Sequence, residues 1–199
     1  MRRRAPLLWF GISLVAIAGM TLVGPAEKSL GTNVRVVYLH GVWVWTALFA
    51  FLAAAGAGLV GLILQNEKLQ HWSRALGRTG LFFWISYLPI SMWAMQTNWN
   101  GLFLAEPRWR LALIFSLGGL VLQIGVTLVE SPAWASAANI AFALALSLAL
   151  RATEDVMHPA SPIFSSDALR IQIYFGGLLL LTLLAAWMLA RWAYQFESL

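Results

Sequence analysis

Long apolar runs separated by short polar stretches dominate the chain, at about residues 6–24, 36–64, 80–97, 111–129, 133–150 and 171–194. None shows the period-two alternation of a membrane barrel strand, so each predicts a helix. A bilayer core of about 30 Å takes roughly 20 apolar residues in helical form, and each run comes near that length. The second run is longer than a bilayer needs and should tilt or protrude. Pro89 predicts a kink in the third. Only Glu130, Ser131 and Pro132 separate the fourth run from the fifth, which makes those two helices antiparallel neighbours. The expected fold is all-α, an integral membrane bundle of six transmembrane helices forming a single domain over residues 1–199.

Composition supports the same class. With 60% hydrophobic and 11% charged residues and a mean hydropathy of +0.75, the chain cannot fold as a water-soluble domain of this size. The first run follows a basic patch, yet no small-residue cleavage site leads from it into a soluble domain, so it reads as a span. Arg2, Arg3 and Arg4 precede it, and Lys68, Arg74 and Arg78 follow the second run. An excess of basic residues marks the cytoplasmic side, which predicts cytoplasmic N and C termini in a prokaryotic plasma (inner) membrane. Lys28, Arg35, Arg108, Arg110, Arg151 and Arg170 then lie outside, where basic residues are disfavoured unless something anionic needs them.

This orientation gathers three segments at the external face, about residues 25–35, 98–110 and 151–170. His40 lies just inside the second helix, roughly 7 Å below Arg35 at 1.5 Å rise per residue, and Trp43 follows one turn deeper on nearly the same face. His158 falls in the polar stretch before the sixth helix. Two imidazoles meeting at one face of a bundle are a natural pair of axial ligands for haem iron. Trp43, Trp99 and Phe103 are candidates to line an apolar slot for the macrocycle, and Arg35, Arg108, Arg110 or Arg170 to meet its propionates. Glu154 and Asp155 either orient His158 or are solvated loop acids. The chain has no cysteine, which excludes covalent haem attachment, iron–sulfur clusters and thiol redox chemistry. No nucleotide motif, Ser-His-Asp set or metal-binding helix motif accompanies these residues, so the chain is expected not to be an enzyme and to bind no nucleic acid.

The segment Arg35-Val-Val-Tyr-Leu-His40-Gly-Val-Trp resembles the start of the second helix in the haem exporter C (CcmC-type) members of the cytochrome c assembly family. There an arginine stands five residues before a haem-ligating histidine, in the pattern R-I-F-Y-I-H-V-P-x-A-W. Trp99-Asn-Gly-Leu-Phe-Leu-Ala-Glu106-Pro-Arg108 resembles a degenerate form of that family's W-G-x-W-W-V-W-D-A-R signature, and Val156-Met-His158-Pro-Ala-Ser-Pro162 resembles its histidine-bearing loop. The resemblance covers about residues 30–175. Leu102, Phe103 and Ala105 stand where the family has tryptophans, Glu106 replaces its aspartate, and Gly41-Val42 replaces Val-Pro.

The resemblance implies a membrane protein of cytochrome c biogenesis that holds haem b non-covalently at the external, periplasmic face and presents it to an assembly partner. His40 and His158 would be the iron ligands, and Arg35, Trp43, Trp99, Phe103, Glu106, Arg108 and Arg110 the haem surroundings. Membrane lipid, a haem chaperone and the ABC transporter subunits of a maturation complex would be its partners. Two alternatives stand beside this reading: an electron-transfer subunit with permanently bound haem b, and a scaffold that kept the fold and lost the haem.

Other features read as packing. Ala53, Ala57 and Gly61 repeat every four residues and should let a neighbouring helix approach. Gln123 should hydrogen-bond to another helix. His71 reads as interfacial, and Trp9, Trp84, Trp109, Trp134, Trp187 and Trp192 as an aromatic belt near span ends.

Overall fold

The computed structural model describes residues 4–154, 163–164 and 167–196. These form six helices: α1 Ala5–Leu22, α2 Val34–Ile63, α3 Glu67–Trp99, α4 Pro107–Val129, α5 Pro132–Ala152 and α6 Leu169–Tyr194. No strand occurs among the described residues, where Glu27 and Gly31 form an isolated bridge. Five helices are long and apolar enough to cross a membrane, which gives the chain a multi-pass membrane architecture. The exception is α3, whose first turns carry Glu67, Lys68, Arg74 and Arg78.

That helix holds the main departure from the expected layout. Residues 65–79, expected as a charged loop, shrink to a turn at Gln65, in the left-handed region at φ 50°, and Asn66, whose side chain accepts from the Leu69 N–H. From Glu67 the helix runs without interruption through Pro89 to Trp99. Its early turns are amphipathic: Gln70, Ser73, Arg74, Ala75 and Gly77 face inward and are buried. Average hydropathy hides such a face, because inward polar side chains depress the mean without being exposed.

α2 and α3 form an antiparallel pair that carries much of the core. Its rungs run from His40 against Tyr87, through Trp43 against Phe83 and Phe51 against Gly80, to Gly58 against Ser73 and Gly61 against Gln70. Glycine sets the spacing in the lower half. A Cβ on Gly80 would come within 2.7 Å of the Phe51 ring, and one on Gly58 within 2.8 Å of Ser73 Oγ. The close-approach stripe on α2 therefore passes through Ala47, Ala54, Gly58 and Gly61, whereas Ala53 of the expected stripe is exposed. Trp84 is likewise no belt residue. It is 1% exposed, and its Nε1 donates to Ala112 O of α4 at 3.1 Å, because lengthening α3 moves position 84 from a helix end to its middle.

α4 and α5 lie side by side, joined by Glu130 in the left-handed region (φ 55°) and Ser131, whose hydroxyl caps α5 by accepting from the Trp134 N–H. Gln123 makes the expected interhelical bond, donating Nε2 to Asn139 Oδ1 at 3.0 Å. Asn139 in turn donates Nδ2 to Ser73 O at 2.9 Å and to Ser73 Oγ at 3.1 Å. α6 packs on α1, α2 and α3. Near its last turns Trp187 and Tyr194 both stack on Trp72, at 5.0 Å and 4.4 Å between ring centres.

Candidate functional site

At the opposite end of the bundle from Trp72, the turn between α1 and α2 folds back over the start of α2. Arg35 Nε donates to Gly24 O at 2.9 Å and Tyr38 OH to Pro25 O at 3.2 Å. Within the turn, the Glu27 carboxylate accepts from the Ser29 hydroxyl, the Ser29 N–H and the Leu30 N–H. These bonds, the Ser29 hydroxyl foremost, hold the Glu27 carboxyl below its ordinary range. Tyr174 of α6 packs near Tyr38, with 5.2 Å between rings, and donates its OH to Met20 O of α1 at 2.8 Å. Arg35 is thus fixed at the rim where three helices meet.

His40 is half-buried below this rim, its ring 5.5 Å from that of Tyr87 on α3. The following residue, Gly41, faces α6. A Cβ there would lie 3.1 Å from the Phe175 ring, so the glycine that departs from the family pattern lets α6 close against α2 beside the histidine. Trp43 is buried one turn deeper, with Nε1 donating to Ser86 Oγ at 2.9 Å. Its ring belongs to the α2–α3 seam, where it packs against Phe83.

Asn33 Nδ2 donates to Thr97 O at 3.2 Å, joining the start of α2 to the end of α3. Trp99, half-buried at that helix end, therefore shares this face with Arg35. The chain turns at Asn100, in the left-handed region at φ 52°, and leads through exposed Leu102, Phe103 and Leu104 into α4. Glu106 accepts from the Trp109 N–H at 2.6 Å and so caps α4, with Pro107 following at the first helical position. Arg108 is half-buried, and exposed Arg110 donates Nε to Leu104 O at 3.3 Å.

Two groups emerge from the expected site residues. His40 and Trp43 lie about a turn apart on α2 and meet Tyr87 and Phe83 of α3, while Arg35, anchored toward the α1–α2 turn, and Trp99 stand at the same end of the bundle. Arg110 belongs to a separate open groove of about 400 Å³, lined also by Ala105, Pro107, Leu111, Ile114, Phe115 and Thr153. His40, Trp43, Trp99 and Phe103 do not line it. His158 lies outside the described residues. Beyond that segment, Phe164 packs against Trp45 of α2 and Phe175 of α6, with ring centres 6.1 Å and 5.6 Å apart.

Tyr87 is the contact that sequence reasoning missed. Its only signal was the α2–α3 register, and a pair of helices joined by a short turn has that register fixed near the turn, at the far end of both helices from the site.

No family model and no solved structure matches the chain. A stretch of 106 residues is 24% identical to a curated Marchantia polymorpha protein named as a ccmC-like mitochondrial protein of cytochrome c biosynthesis. The match takes in 53% of this chain and 46% of that protein, so the chain spans about half the length of the relative it resembles.

Proposed function

We propose that this chain is a non-enzymatic haem-handling protein of cytochrome c biogenesis, crossing the membrane six times and holding haem at the face that carries Arg35 and His40. The similarity to the ccmC-like protein of Marchantia carries the reading, and the end of α2 that bears both Arg35 and His40 gives it a place in the fold. The donor set suits haem: an imidazole half-buried at a helix end, a guanidinium at the rim above it and aromatic rings around it.

In this reading His40 is one iron ligand and His158 the second, while Arg35 or Arg108 meets the propionates, Arg110 belonging to the separate groove. Bound haem would supply an iron centre to be handed to an acceptor. The protein's own part is positional. Arg35, anchored on Gly24 O, keeps positive charge at the aqueous rim, and Tyr87 restricts where the His40 ring can go. A site near a helix end favours release to a partner, such as a haem chaperone or transporter subunits of a maturation complex, over permanent storage.

The scaffold alternative draws on the exposed Leu102 and Phe103 and on Glu106, whose carboxylate is engaged as a helix cap. Absorption spectra of the purified protein, titrated with haem, separate the two. Haem-handling predicts a bis-histidine spectrum that His40→Ala and His158→Ala each abolish and His71→Ala leaves intact. No saturable spectrum would establish the scaffold, and equal losses in all three variants would overturn the ligand assignment.

A further inference from the structure

Ahead of α6, Phe164 meets two rings edge-on: Trp45 of α2 at 6.1 Å with an interplanar angle of 86°, and Phe175 of α6 at 5.6 Å and 88°. Gly41 and Trp45 lie one turn apart on the same face of α2, and a Cβ on Gly41 would come within 3.1 Å of the Phe175 ring. Phe164 is therefore seated on the seam where α6 closes against α2, with only Phe175 between it and the residue that follows His40. Its seat lies below the start of its own helix. Gln172 Nε2, from the first turn of α6, donates to Phe164 O at 3.4 Å, and Phe175 stands six residues, about 9 Å, past Leu169. Irregular backbone at membrane depth needs its carbonyls satisfied, and Gln172 does this for Phe164. Ile163, its neighbour in the chain, also packs against the core.

The other end of the α5–α6 connection is held at a matching depth. Phe142 of α5 packs on Phe51 of α2, with ring centres 4.9 Å apart. From that contact α5 continues ten residues to Ala152, about 15 Å, and α2 runs back eleven residues to His40, about 17 Å. α5 thus ends near the level of His40. His158 stands five residues before Ile163, and a chain advances at most about 3.6 Å per residue, so Ile163 and Phe164 confine it to within about 18 Å of their seat. With Phe164 released, the next fixed point is Leu169, eleven residues from His158. Effective concentration falls roughly as the −3/2 power of tether length, so lengthening the tether from five residues to eleven dilutes the imidazole about threefold.

We infer that Phe164 is a positioning residue for the haem site: seated on Trp45 and Phe175, it tethers His158 close enough to serve beside His40 as the second iron ligand. This rests on the haem-handling function proposed above. Phe164 itself touches neither the iron nor the macrocycle and acts through the histidine it holds.

Haem titration of the full-length protein in detergent, read by absorption and electron paramagnetic resonance, tests this against the bis-histidine spectrum of the wild type. Phe164→Ala should weaken haem binding about threefold and move part of the signal to a five-coordinate, high-spin form, and added imidazole should return it to low spin. A loss of stability alone would not be reversed by imidazole. Phe164→Tyr keeps the ring and should stay low-spin. Trp45→Leu removes the other side of the contact and should give the same shift, with no further change when combined with Phe164→Ala. Phe196→Ala, which removes an equally exposed ring beyond the far end of α6, should have no effect. An unchanged low-spin spectrum in Phe164→Ala, or an equal shift in Phe196→Ala, would overturn the tether and leave the haem reading in place. Absence of a saturable spectrum in the wild type would overturn both.

Discussion

Gly77 and Asn139 offer the sharpest test of how the bundle is held together. Asn139 is 5% exposed and takes part in three interhelical hydrogen bonds, two to Ser73 of α3 and one from Gln123 of α4. A Cβ added to Gly77 would lie 2.5 Å from Asn139 Oδ1 and 2.7 Å from Nδ2. That amide cannot swing aside without giving up all its partners. Interhelical bonds in membranes average about 0.6 kcal/mol each, so Asn139→Ala should cost roughly 2 kcal/mol. Gly77→Ala forfeits the same bonds and adds overpacking strain of about 1–3 kcal/mol, for a total near 4 kcal/mol. The informative variant is the double one. With the amide gone the alanine methyl has room, so Gly77→Ala/Asn139→Ala should be no less stable than Asn139→Ala alone. The assay is reversible unfolding in mixed micelles with rising SDS, followed by tryptophan fluorescence. Additive costs in the double variant would show that the α3–α5 approach is set elsewhere and that the network is incidental.

Three further outcomes follow from the site and its rim. Glu106→Ala should destabilise the protein by about 1 kcal/mol through loss of the α4 cap, and Glu106→Ser should restore stability. Haem titration of both variants then isolates any ligand role, since a cap alone predicts unchanged affinity. Phe103→Ala should weaken haem retention by on the order of 1–3 kcal/mol without moving the ligand-field bands, and Arg108→Ala roughly ten- to a hundredfold. Unchanged affinity in both would make the segment from Trp99 to Arg110 a passive connector. The Glu27 turn should be pH-sensitive: its carboxyl is lowered in the fold, so the contribution to stability is present above the ordinary value of 4.5 and lost as pH falls through the lowered one. Hydrogen-exchange protection of the Gly31 N–H, corrected for intrinsic rate, should fall as the Glu27 carboxyl is protonated below its ordinary 4.5; protection that stays constant through complete protonation of that carboxyl would contradict it.

How much of this could be seen in the chain depends on what hydropathy measures. α1, α2, α4, α5 and α6 are continuous apolar runs, and their ends fall within a few residues of the expected ones. The first half of α3 escaped because Gln70, Ser73 and Arg74 lower the mean hydropathy of a segment that is nonetheless packed inward. Gln123 announced itself as a lone amide in an apolar run, whereas its partner Asn139 sits among alanines and serines that attract no notice. For the site, the spacing of Arg35 and His40 was legible because both lie on one helix. Tyr87 was not, because cross-helix contacts depend on register.

Register itself leaves a trace in the sequence, in complementary sizes rather than in polarity. Gly58 and Gly61 on α2 oppose Ser73 and Gln70, and Gly80 on α3 opposes Phe51. Each glycine admits a larger neighbour at a distance no other residue would allow. Sliding the pair by one helical turn would set Trp84 or Leu76 against Phe51 in place of Gly80. Either side chain would collide with the Phe51 ring, so these sizes favour the observed register over a four-residue slide. That register in turn carries Tyr87 to His40 at the other end. The position of the candidate site is therefore fixed by packing far from it. Gly80→Leu, which touches none of the site residues, should displace Tyr87 from His40 and weaken haem binding in a titration, and Phe51→Ala in the same chain should restore it by giving the leucine room. Full affinity in Gly80→Leu alone, with the variant folded, would show that the site does not depend on this register.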